Sequence, residues 1–344
     1  MTIVEETRLL TGGVDTHRDN HVAAVVDGNG GVIGVESFPA TAGGYVELAG
    51  WLCSHGRLET VGVEGTGTYG AGLARHLRFA GLAVVEVDRV NRQARRRSGK
   101  SDPLDAIEAA RAAASGRCAG VAKTADGESE ALRVLLVARR SARQARAKAL
   151  VQIRHLGFTA PDPIRDQFRG IRARRVAAVA AGLRPSGDVV THATKTTLRL
   201  LGRRVQAFDA ELATIDDLLE DLVEQTAPNL LELRGVGPST AAALLVAVGD
   251  NPHRLRSEAA FAHLCGVAPV PAMSGQVTGR VRLNQGGNRQ ANAALWRIVF
   301  TRMNSDERTR VYVTRRRAEG RSRKEIIRCL QRYVAREMYA HLTA

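Results

Sequence analysis

Four carboxylates in the first third of the chain have the types and the spacing that metal-dependent phosphodiester chemistry requires. Asp15 closes the run Gly-Gly-Val-Asp and Glu64 closes the run Thr-Val-Gly-Val-Glu, so both are predicted to project from strand ends. Asp102 and Asp105 belong to the segment Ser-Asp-Pro-Leu-Asp-Ala, which predicts the start of a helix. Two acids three residues apart on a helix point the same way. Together with the strand acids, they could grip a hard divalent cation.

The helix that carries this pair also has a simpler interpretation. Pro103 fits the first helical turn, where a missing N–H costs nothing, and Asp102 is predicted to cap the helix from just outside it. The alanine-rich run 106–115 continues the helix. An Asp at the cap and Asp105 in the first turn would stabilise any helix through its dipole. The pair alone therefore fits capping as well as it fits metal binding.

The order of the elements around the acids favours the chemical interpretation. The residue pattern predicts strands and helices in the order β-β-β-α-β-α-β. The strands that follow the first acid are predicted at 22–27, 32–38, 61–64 and 82–87, and the helices pass through Val46 and Leu52 and through 73–78. This is the order of an RNase-H-like fold, and it predicts an α/β domain over residues 1–120.

The charge balance indicates a polyanionic partner. The 344-residue chain has 50 Lys and Arg against 35 Asp and Glu, a formal net charge of +15, which favours nucleic acid. The basic residues gather in three clusters: Arg89, Arg92, Arg95, Arg96, Arg97 and Lys100; Arg139, Arg140, Arg143, Arg146 and Lys148; and a tail with Arg315, Arg316, Arg317, Arg321, Arg323 and Lys324. Most would contact phosphate and read no sequence, although any single charge run also fits a solvated face. Aromatic residues make up only 4%, which argues against base stacking as the main binding mode.

Cysteine usage and hydropathy predict a cytoplasmic protein. No apolar run approaches the roughly 20 residues that span a membrane. Cys53, Cys118, Cys265 and Cys329 are scattered without a Cys-x-x-Cys pair, so neither a disulfide framework nor a zinc site is indicated, and all four are predicted to be reduced and buried. His17 and His21 flank Asp15, but a surface loop or a strand position is favoured for them over a metal site.

Beyond the α/β region the pattern becomes helical. Residues from Glu128 to about Leu156 are rich in Ala, Arg and Leu with helical spacing, and a second periodic segment runs from about Thr194 to Glu224. Two long helices with an irregular connection predict an arm or a dimerisation hairpin over residues 121–226. Residues 227–344 form the third predicted domain, with a helix from Ala291 to Phe300.

Segment 230–241 has the form of a helix-hairpin-helix. Gly235 and Gly237 on either side of Val236 permit a tight turn. Backbone N–H groups of such a turn, with the N-terminus of the following helix, can hold a phosphate without reading bases. A plain connection between two helices is the alternative.

A glycine-rich loop follows at 269–288. Ser274 stands in it before a glycine, and Arg280 and Arg282 are near enough in sequence to stabilise a charged phosphate. Ser274 could therefore be a nucleophile, while the same Ser-Gly pair also fits an ordinary turn.

Three sets of residues together resemble the insertion-sequence transposases of the IS110 type, also described as bridge-RNA-guided DNA recombinases. They are Gly-Val-Asp15-Thr-His with Glu64 and Ser-Asp102-Pro-Leu-Asp105-Ala, the Arg-Gly-Val-Gly-Pro hairpin, and the Ser274-Gly loop leading to Gly-Gly-Asn288. They occur in the family's order over nearly the whole chain. The segment 157–190 contributes no motif to the resemblance.

The resemblance implies a RuvC-like domain with a DEDD metal site at Asp15, Glu64, Asp102 and Asp105, occupied by Mg²⁺ or Mn²⁺. It implies a C-terminal, mainly helical transposase domain in which Ser274 attacks a DNA phosphate and forms a covalent link. The implied partners are donor and target DNA, a noncoding guide RNA, and further copies of the chain in a dimer or tetramer. A nucleoid-associated location in the cytoplasm follows. The residues predicted to contact nucleic acid are Gly235, Gly237, Arg280, Arg282, Asn288, Arg95, Arg96, Arg97 and Lys100.

Two other functions remain open on sequence alone. The first is a RuvC-like nuclease or junction resolvase, in which the acids cut with water and Ser274 is structural. The second is a nucleic-acid-binding protein that has lost its chemistry, with the basic clusters providing the binding. The presence of all four acids and of the serine argues against the second.

Overall fold

The computed structural model describes residues 9–87, 101–116, 120–121, 123–271, 281–284 and 286–343. The chain divides into two compact units. The first comprises Met1–Gly127 with Gly249–Arg254, and the second comprises Glu128–Val248 with Leu255–Ala344. The predicted boundaries at 120/121 and 226/227 stay a prediction.

Six strands form one mixed sheet in the first unit: β1 (Leu10–Thr16), β2 (Asn20–Val26), β3 (Val32–Pro39), β4 (Leu58–Glu64), β5 (Val84–Val87) and β6 (Gly120–Val121). Their order across the sheet is β3-β2-β1-β4-β5-β6. β1 pairs antiparallel with β2 and parallel with β4, and β5 runs parallel to β4. β1 is therefore a central strand, flanked by the hairpin partner on one side and by the parallel strands on the other.

In the described part of this unit, helices on the two faces of the sheet are α1 (Ala42–Ser54), α2 (Ala71–Phe79) and α3 (Asp102–Ala114). Side chains alternate between the faces of a strand, so Val14 and Ala23 point to one face while Ala24 points to the other. Leu48 of α1 and Leu77 of α2 share a buried core with Val14 and Ala23. Ala106 of α3 packs with Ala24 on the opposite face. Among the residues that the structure describes, α3 is the helix that packs on this side of the sheet.

The sequence-predicted order of strands and helices in this unit is confirmed, with bounds that shift by a few residues. Two features differ. Asp102 does not stand outside its helix as a cap, because α3 begins at Asp102 and Ser101 occupies the cap position with an extended backbone. Strand β6 was not predicted, because two residues are too short to produce a recognisable alternation.

The second unit is mostly helical. Its helices are α4 (Glu128–Thr159), α5 (Asp162–Phe168), α6 (Val176–Gly182), α7 (Val189–Thr226), α8 (Pro228–Leu231), α9 (Pro238–Val248), α10 (Glu258–Leu264), α11 (Arg289–Ser305), α12 (Glu307–Ala318) and α13 (Arg323–Leu342). A two-stranded ribbon joins β7 (Pro269–Pro271) to β8 (Val281–Leu283) in antiparallel pairing. Both predicted long helices exist, and each extends a few residues beyond its predicted end.

Two hydrophobic clusters stabilise the helical unit. One lies where the long helices α4 and α7 pack with α5 and α6, around Ile153, Ile164 and Leu198. The other includes Leu244 and Phe261 and contains the inward face of α13. Ion pairs between Arg139 and Asp216 and between Arg146 and Asp209 connect α4 to α7 along their length.

The basic cluster of the tail, for which the sequence predicted no element, lies on and between α12 and α13, and α13 buries Ile326, Leu330, Val334 and Met338 in the core. One sequence expectation for this unit is wrong. The loop 269–288 is not wholly irregular, because it contains β7 and β8. In α13 the buried apolar residues recur every four positions and form one helix face. The many charged residues between them make this pattern hard to recognise in the sequence.

The cysteine prediction needs one correction. Cys53, Cys265 and Cys329 are free thiols, but Cys53 is exposed on α1 and only Cys265 is fully buried. Burial raises the pKa of the Cys265 thiol to about 12. Cys118 lies outside the described residues. In the described part of the chain, no helix combines the length and the apolar character needed to span a membrane.

Candidate active site

The ends of β1 and β4 place two of the predicted acids side by side. The strands pair in parallel with Gly13 opposite Gly62 and Val14 opposite Val63. The next residues along the two strands are Asp15 and Glu64. The Thr16 hydroxyl donates a hydrogen bond to the Glu64 carbonyl at 2.8 Å, which holds the strand ends together.

A pair of glycines allows helix α3 to approach this part of the sheet. A Cβ on Gly13 would lie 2.1 Å from the Ala110 nitrogen and 2.4 Å from the Ala106 carbonyl oxygen. A Cβ on Gly62 would lie 2.7 Å from the Ala109 carbonyl oxygen. Contacts this short exclude any side chain, so the helix backbone rests directly on the strand backbones. Each glycine stands two residues before a strand acid, on the same face of the sheet.

The close approach brings the N-terminal turn of α3 to the strand acids. Asp105 is 1% exposed, whereas half of the Asp102 side chain is exposed to solvent. Pro103 occupies the first turn, as predicted. The alanine face of α3, including Ala106, Ala109 and Ala110, is what fits over the glycines. The alanines of this helix therefore position its acids, because they let the helix pack closely on the sheet.

His17 lies between two of the carboxylates. Its Nε2 is 3.2 Å from an Asp15 oxygen and 3.3 Å from an Asp102 oxygen. One ligand atom from each of Asp15, His17 and Asp102 lies within 4.8 Å of the others. The arrangement is a possible metal site that runs from buried Asp15 to exposed Asp102.

The electrostatics of the cluster show an excess of negative charge around Asp15. Burial raises the pKa of Asp15 above its ordinary value, His17 lowers the pKa, and the carboxylates of Asp105 and Asp102 raise it again. The net direction is upward, because the imidazole does not offset burial and two like charges. A cation at this place would relieve the repulsion.

The donor set fits a divalent metal ion. Carboxylate oxygens are the ligands that Mg²⁺ and Mn²⁺ take, and an imidazole nitrogen is a better ligand for Mn²⁺ than for Mg²⁺. The site combines a fixed, buried carboxylate with an exposed one, so a cation could be held while part of its coordination faces outward.

That all four predicted acids form one ligand set stays a prediction. Asp15 and Asp102 belong to the group within 4.8 Å. Asp105 acts on Asp15 electrostatically from the next position on the same helix face, and Glu64 borders the site from the neighbouring strand. The sequence reasoning set His17 aside, although an Asp-x-His spacing at the end of a strand puts both side chains on one face. That spacing was the signal for His17.

His21 lies elsewhere, as a buried strand residue. It is fully buried on β2 and stacks on Tyr45 at 5.6 Å between ring centroids. Of the two positions that the sequence left open for His21, a surface loop or a strand, the structure shows the strand.

The helix-hairpin segment forms a tight turn between α8 and α9. Gly235 has φ +82°, a conformation that favours glycine, and Val236 is buried beneath the turn. Gly237 has an ordinary φ and open space where a Cβ would lie, so nothing in its conformation requires glycine. The Nε–H of Arg302 donates to the Arg234 carbonyl at 2.7 Å and fixes the turn to α11. Phosphate binding by this turn stays a prediction.

Two other predicted nucleic-acid contacts have defined positions. Arg282 is exposed on β8 and lines a cavity of about 460 Å³ with Arg316, Arg328 and Arg332. The Asn288 side chain caps α11 by accepting hydrogen bonds from Gln290 N and Ala291 N. The remaining predicted site residues, Ser274, Arg280, Arg95, Arg96, Arg97 and Lys100, lie outside the described residues.

Comparison with protein families gives matches to both ends of the chain. Residues 12–156 match a family model described as "Transposase", of the DEDD type found in IS110. Residues 227–314 match the model described as "Transposase IS116/IS110/IS902 family". Both segments are IS110-family transposase domains.

Two relatives are proteins of insertion elements. The "Insertion element IS110 uncharacterized 43.6 kDa protein" of Streptomyces coelicolor is 32% identical over 155 residues, which are 45% of this chain and 37% of the relative. The "Insertion element IS900 uncharacterized 42 kDa protein" of Mycobacterium paratuberculosis is 26% identical over 202 residues, 54% of this chain and 51% of the relative. The aligned parts therefore span about half or less of each relative's length.

The first IS110-family domain contains the whole acidic cluster. Asp15, His17, Glu64, Asp102 and Asp105 all fall within residues 12–156. The second domain contains the hairpin turn and residue 274. The family match and the geometry therefore agree on which part of the chain is the candidate metal centre.

Proposed function

We propose that this chain is the transposase of an insertion element and that it cleaves and joins DNA by metal-dependent phosphodiester chemistry. The observation that carries the proposal is the cluster of Asp15, His17 and Asp102, with ligand atoms within 4.8 Å, inside a segment that matches a DEDD transposase model. Asp105 and Glu64 would complete the acidic site. The +15 net charge supports DNA as the substrate.

The sheet order supports an RNase-H-like, RuvC-type domain. That fold has three antiparallel strands followed by two parallel ones. The sheet of this chain has the same arrangement, in the order β3-β2-β1-β4-β5. In this arrangement acids at the ends of β1 and β4 meet acids from a helix on one face. The chemistry would therefore take place at the carboxyl ends of the central strands.

The residues of the site have distinct roles in this proposal. Asp15 and Asp102, with Glu64 and Asp105, would hold Mg²⁺ or Mn²⁺, and the bound ion would stabilise negative charge on the phosphate oxygens. His17 holds the Asp15 and Asp102 side chains toward each other through its Nε2. The buried position of Asp105 fixes the first turn of α3 against the sheet.

We further propose Ser274 as the nucleophile. Its hydroxyl would lose a proton and form an ester with a DNA phosphate, and one strand end would leave as a hydroxyl. The family resemblance supports this role, since residue 274 stands inside the second transposase domain. A noncoding guide RNA, donor and target DNA, a dimer or tetramer, and action at the nucleoid in the cytoplasm belong to the same proposal.

The metal site is tested by replacing an exposed acid, because this substitution is expected to leave folding intact. Asp102→Asn removes one metal ligand from the surface of the site, and Mg²⁺- or Mn²⁺-dependent cleavage of DNA with the element's ends should fall at least a hundredfold. Binding of the same DNA should stay unchanged. Glu47→Gln, at an exposed acid of α1, is the matched control and should cleave like the wild type. Equal cleavage by both variants would contradict the site.

The nucleophile and the guide are tested separately. Wild-type protein should form a denaturant-stable adduct with a suicide DNA substrate, and Ser274→Ala should not. An adduct in the variant would rule out Ser274 and favour another nucleophile. Sequencing of RNA that copurifies with the protein should yield one discrete species encoded beside its gene, and its absence would contradict RNA guidance.

A further inference from the structure

The helical unit contains a concave surface lined by cationic and hydroxyl side chains. A groove of about 370 Å³ lies between helices α4, α9 and α11. Its lining includes Arg140 and Arg143 from α4, Ser239 and Thr240 from α9, and Arg297 from α11. Three helices thus direct cationic and hydroxyl groups into one recess.

One of the four guanidinium groups that line this groove is neutralised, because Arg139 pairs with Asp216. Among the described residues, Arg140, Arg143 and Arg297 make no ion pair, and all three are exposed. Three uncompensated positive charges around a recess attract an anion with several oxygens, and hydroxyl groups at the N-terminal turn of α9 can donate to it. A phosphodiester has this chemistry.

An exposed aromatic pair continues the groove along the same helix. Trp296 and Phe300 are 45% and 41% exposed, and their rings stack with centroids 5.2 Å apart and planes 15° apart. Ala293 and Arg297 of α11 line the groove, and each has one of these aromatic residues three positions later. The aromatic pair and the cationic recess are therefore neighbours on one helix face.

We infer that this face of α11 binds an unpaired nucleic-acid strand, with its phosphates at Arg140, Arg143 and Arg297 and its bases stacked on Trp296 and Phe300. The inference rests on the proposed function for the class of its ligand. Flat aromatic faces beside unpaired arginines are how proteins hold single strands without reading sequence. In a duplex the base faces are covered by their neighbours, so the aromatic pair has nothing to stack on.

The location of these residues changes the expectation drawn from composition. Aromatic residues are only 4% of the chain, which argued against stacking as the main binding mode. One of the two tryptophans nevertheless lies exposed against a phenylalanine next to a cationic groove. The position of these two aromatic residues therefore supports a local stacking site, even though aromatic residues are rare in the chain.

The competing occupant is a second copy of the chain, because an exposed aromatic pair also suits a protein interface. Charge distinguishes the two. A chain with net charge +15 would bring further positive charge against Arg140, Arg143 and Arg297, whereas a nucleic-acid strand brings phosphates. Electrostatic complementarity therefore favours the strand.

The test measures binding of the full-length protein to a fluorescent oligonucleotide, as unpaired DNA, as unpaired RNA of the same sequence, and as a blunt DNA duplex. The double variant Trp296→Ala/Phe300→Ala should bind the unpaired DNA or RNA about tenfold more weakly or worse, while duplex affinity changes less than twofold. Trp296→Tyr should retain most of the affinity, because a phenol ring still stacks. Phe158→Ala removes another exposed aromatic residue of the helical unit and should match the wild type.

Three results would overturn the inference: no loss for either unpaired strand, an equal loss for duplex, or dissociation of an oligomer by the double variant in sedimentation. Failure of the proposed chemistry is recognised independently. Asp102→Asn should abolish cleavage without weakening the binding of the unpaired strand. If the wild-type protein never cleaves DNA but the double variant still shows the tenfold loss of binding, the transposase reaction is refuted and the stacking surface is retained.

Discussion

The acidic cluster of the sheet unit and the cationic groove of the helical unit both concentrate like charges, but they are built in opposite ways. A carboxylate on a short side chain reaches only as far as its backbone is brought, so Asp15 and Asp102 meet because α3 rests on Gly13 and Gly62. Arginine has a long side chain, so guanidinium groups from separate helices can converge on one recess without close backbone contact. The acidic site therefore depends on backbone contact, while the groove tolerates variation in its framework.

The largest expected effect breaks the backbone contact. Gly13→Ala places a Cβ 2.1 Å from the Ala110 nitrogen, so α3 must shift away from the sheet. The free energy of unfolding should fall by about 3 kcal/mol, and metal-dependent cleavage should be lost with it. Urea unfolding followed by circular dichroism measures the change.

The matched control for that variant is Gly50→Ala. Gly50 is an exposed residue inside α1 with open space around its Cβ position, so alanine should stabilise the helix by about 1 kcal/mol. Equal losses of stability in the two variants would show that the contact between Gly13 and α3 has no special importance.

The second effect concerns the cation that the acidic cluster should bind. Mn²⁺ at about a hundred times its dissociation constant should stabilise the wild type by about 2.7 kcal/mol, and Asp15→Asn should abolish that gain. Without divalent cation the variant should unfold at a higher temperature than the wild type, because a buried charge and its repulsion with Asp105 and Asp102 are removed. Thermal unfolding with and without Mn²⁺ gives both values.

Glu36→Gln serves as the control for this measurement, since Glu36 is an exposed acid on β3. It should keep the full response to Mn²⁺. A response of the same size in Asp15→Asn would place the cation somewhere else.

The third effect is on the salt dependence of nucleic-acid binding, and it compares an arginine of the groove that forms an ion pair within the protein with one that does not. Arg143→Ala should reduce the slope of log affinity for duplex or single strands against log salt by about 1, because one phosphate contact is lost. Arg139→Ala should change that slope less, because Arg139 already pairs with Asp216. Identical slopes for both variants would mean that ion pairing within the protein does not decide which arginines bind phosphate.

The smallest effect concerns cysteine reactivity and compares the two units directly. Exposed Cys53 in the sheet unit should be alkylated by iodoacetamide at pH 8, while Cys265 in the helical core should stay unmodified until the protein unfolds. The thiol of Cys265 has its pKa raised to about 12 by burial, so its thiolate appears only at far higher pH. Peptide mass spectrometry of the native and the urea-unfolded protein checks the order of modification.

Sequence pattern was sufficient where the structure repeats with a fixed period. The short apolar runs in β2 and β4 and the helical spacing in α4 and α7 locate those elements within a few residues. The strand acids could be recognised because each closes a predicted strand. Asp102 was misplaced by one position, because a capping residue and a first helical residue of the same type leave the same sequence signature.

Other features could not be found because they depend on where the chain returns in space. Nothing local to residues 13 and 62 indicates that both receive the same helix. The spacing Asp-x-His relates His17 only to Asp15, whereas its 3.3 Å approach to Asp102 brings in a residue of another element. The pairing of Trp296 with Phe300 beside Arg143 joins segments more than 140 residues apart, which a composition average cannot represent.

The register of β1 against β4 carries a further consequence. Because side chains alternate in direction, a slip of one residue between these strands would turn Gly13 and Asp15 to the opposite face together. Helix α3 would lose its contact with Gly13, and the acidic cluster would at the same time lose the buried carboxylate of Asp15. A misfolded chain of this kind would therefore be inert rather than loosely active, and assembly of the centre is coupled to correct strand pairing as a single all-or-none event.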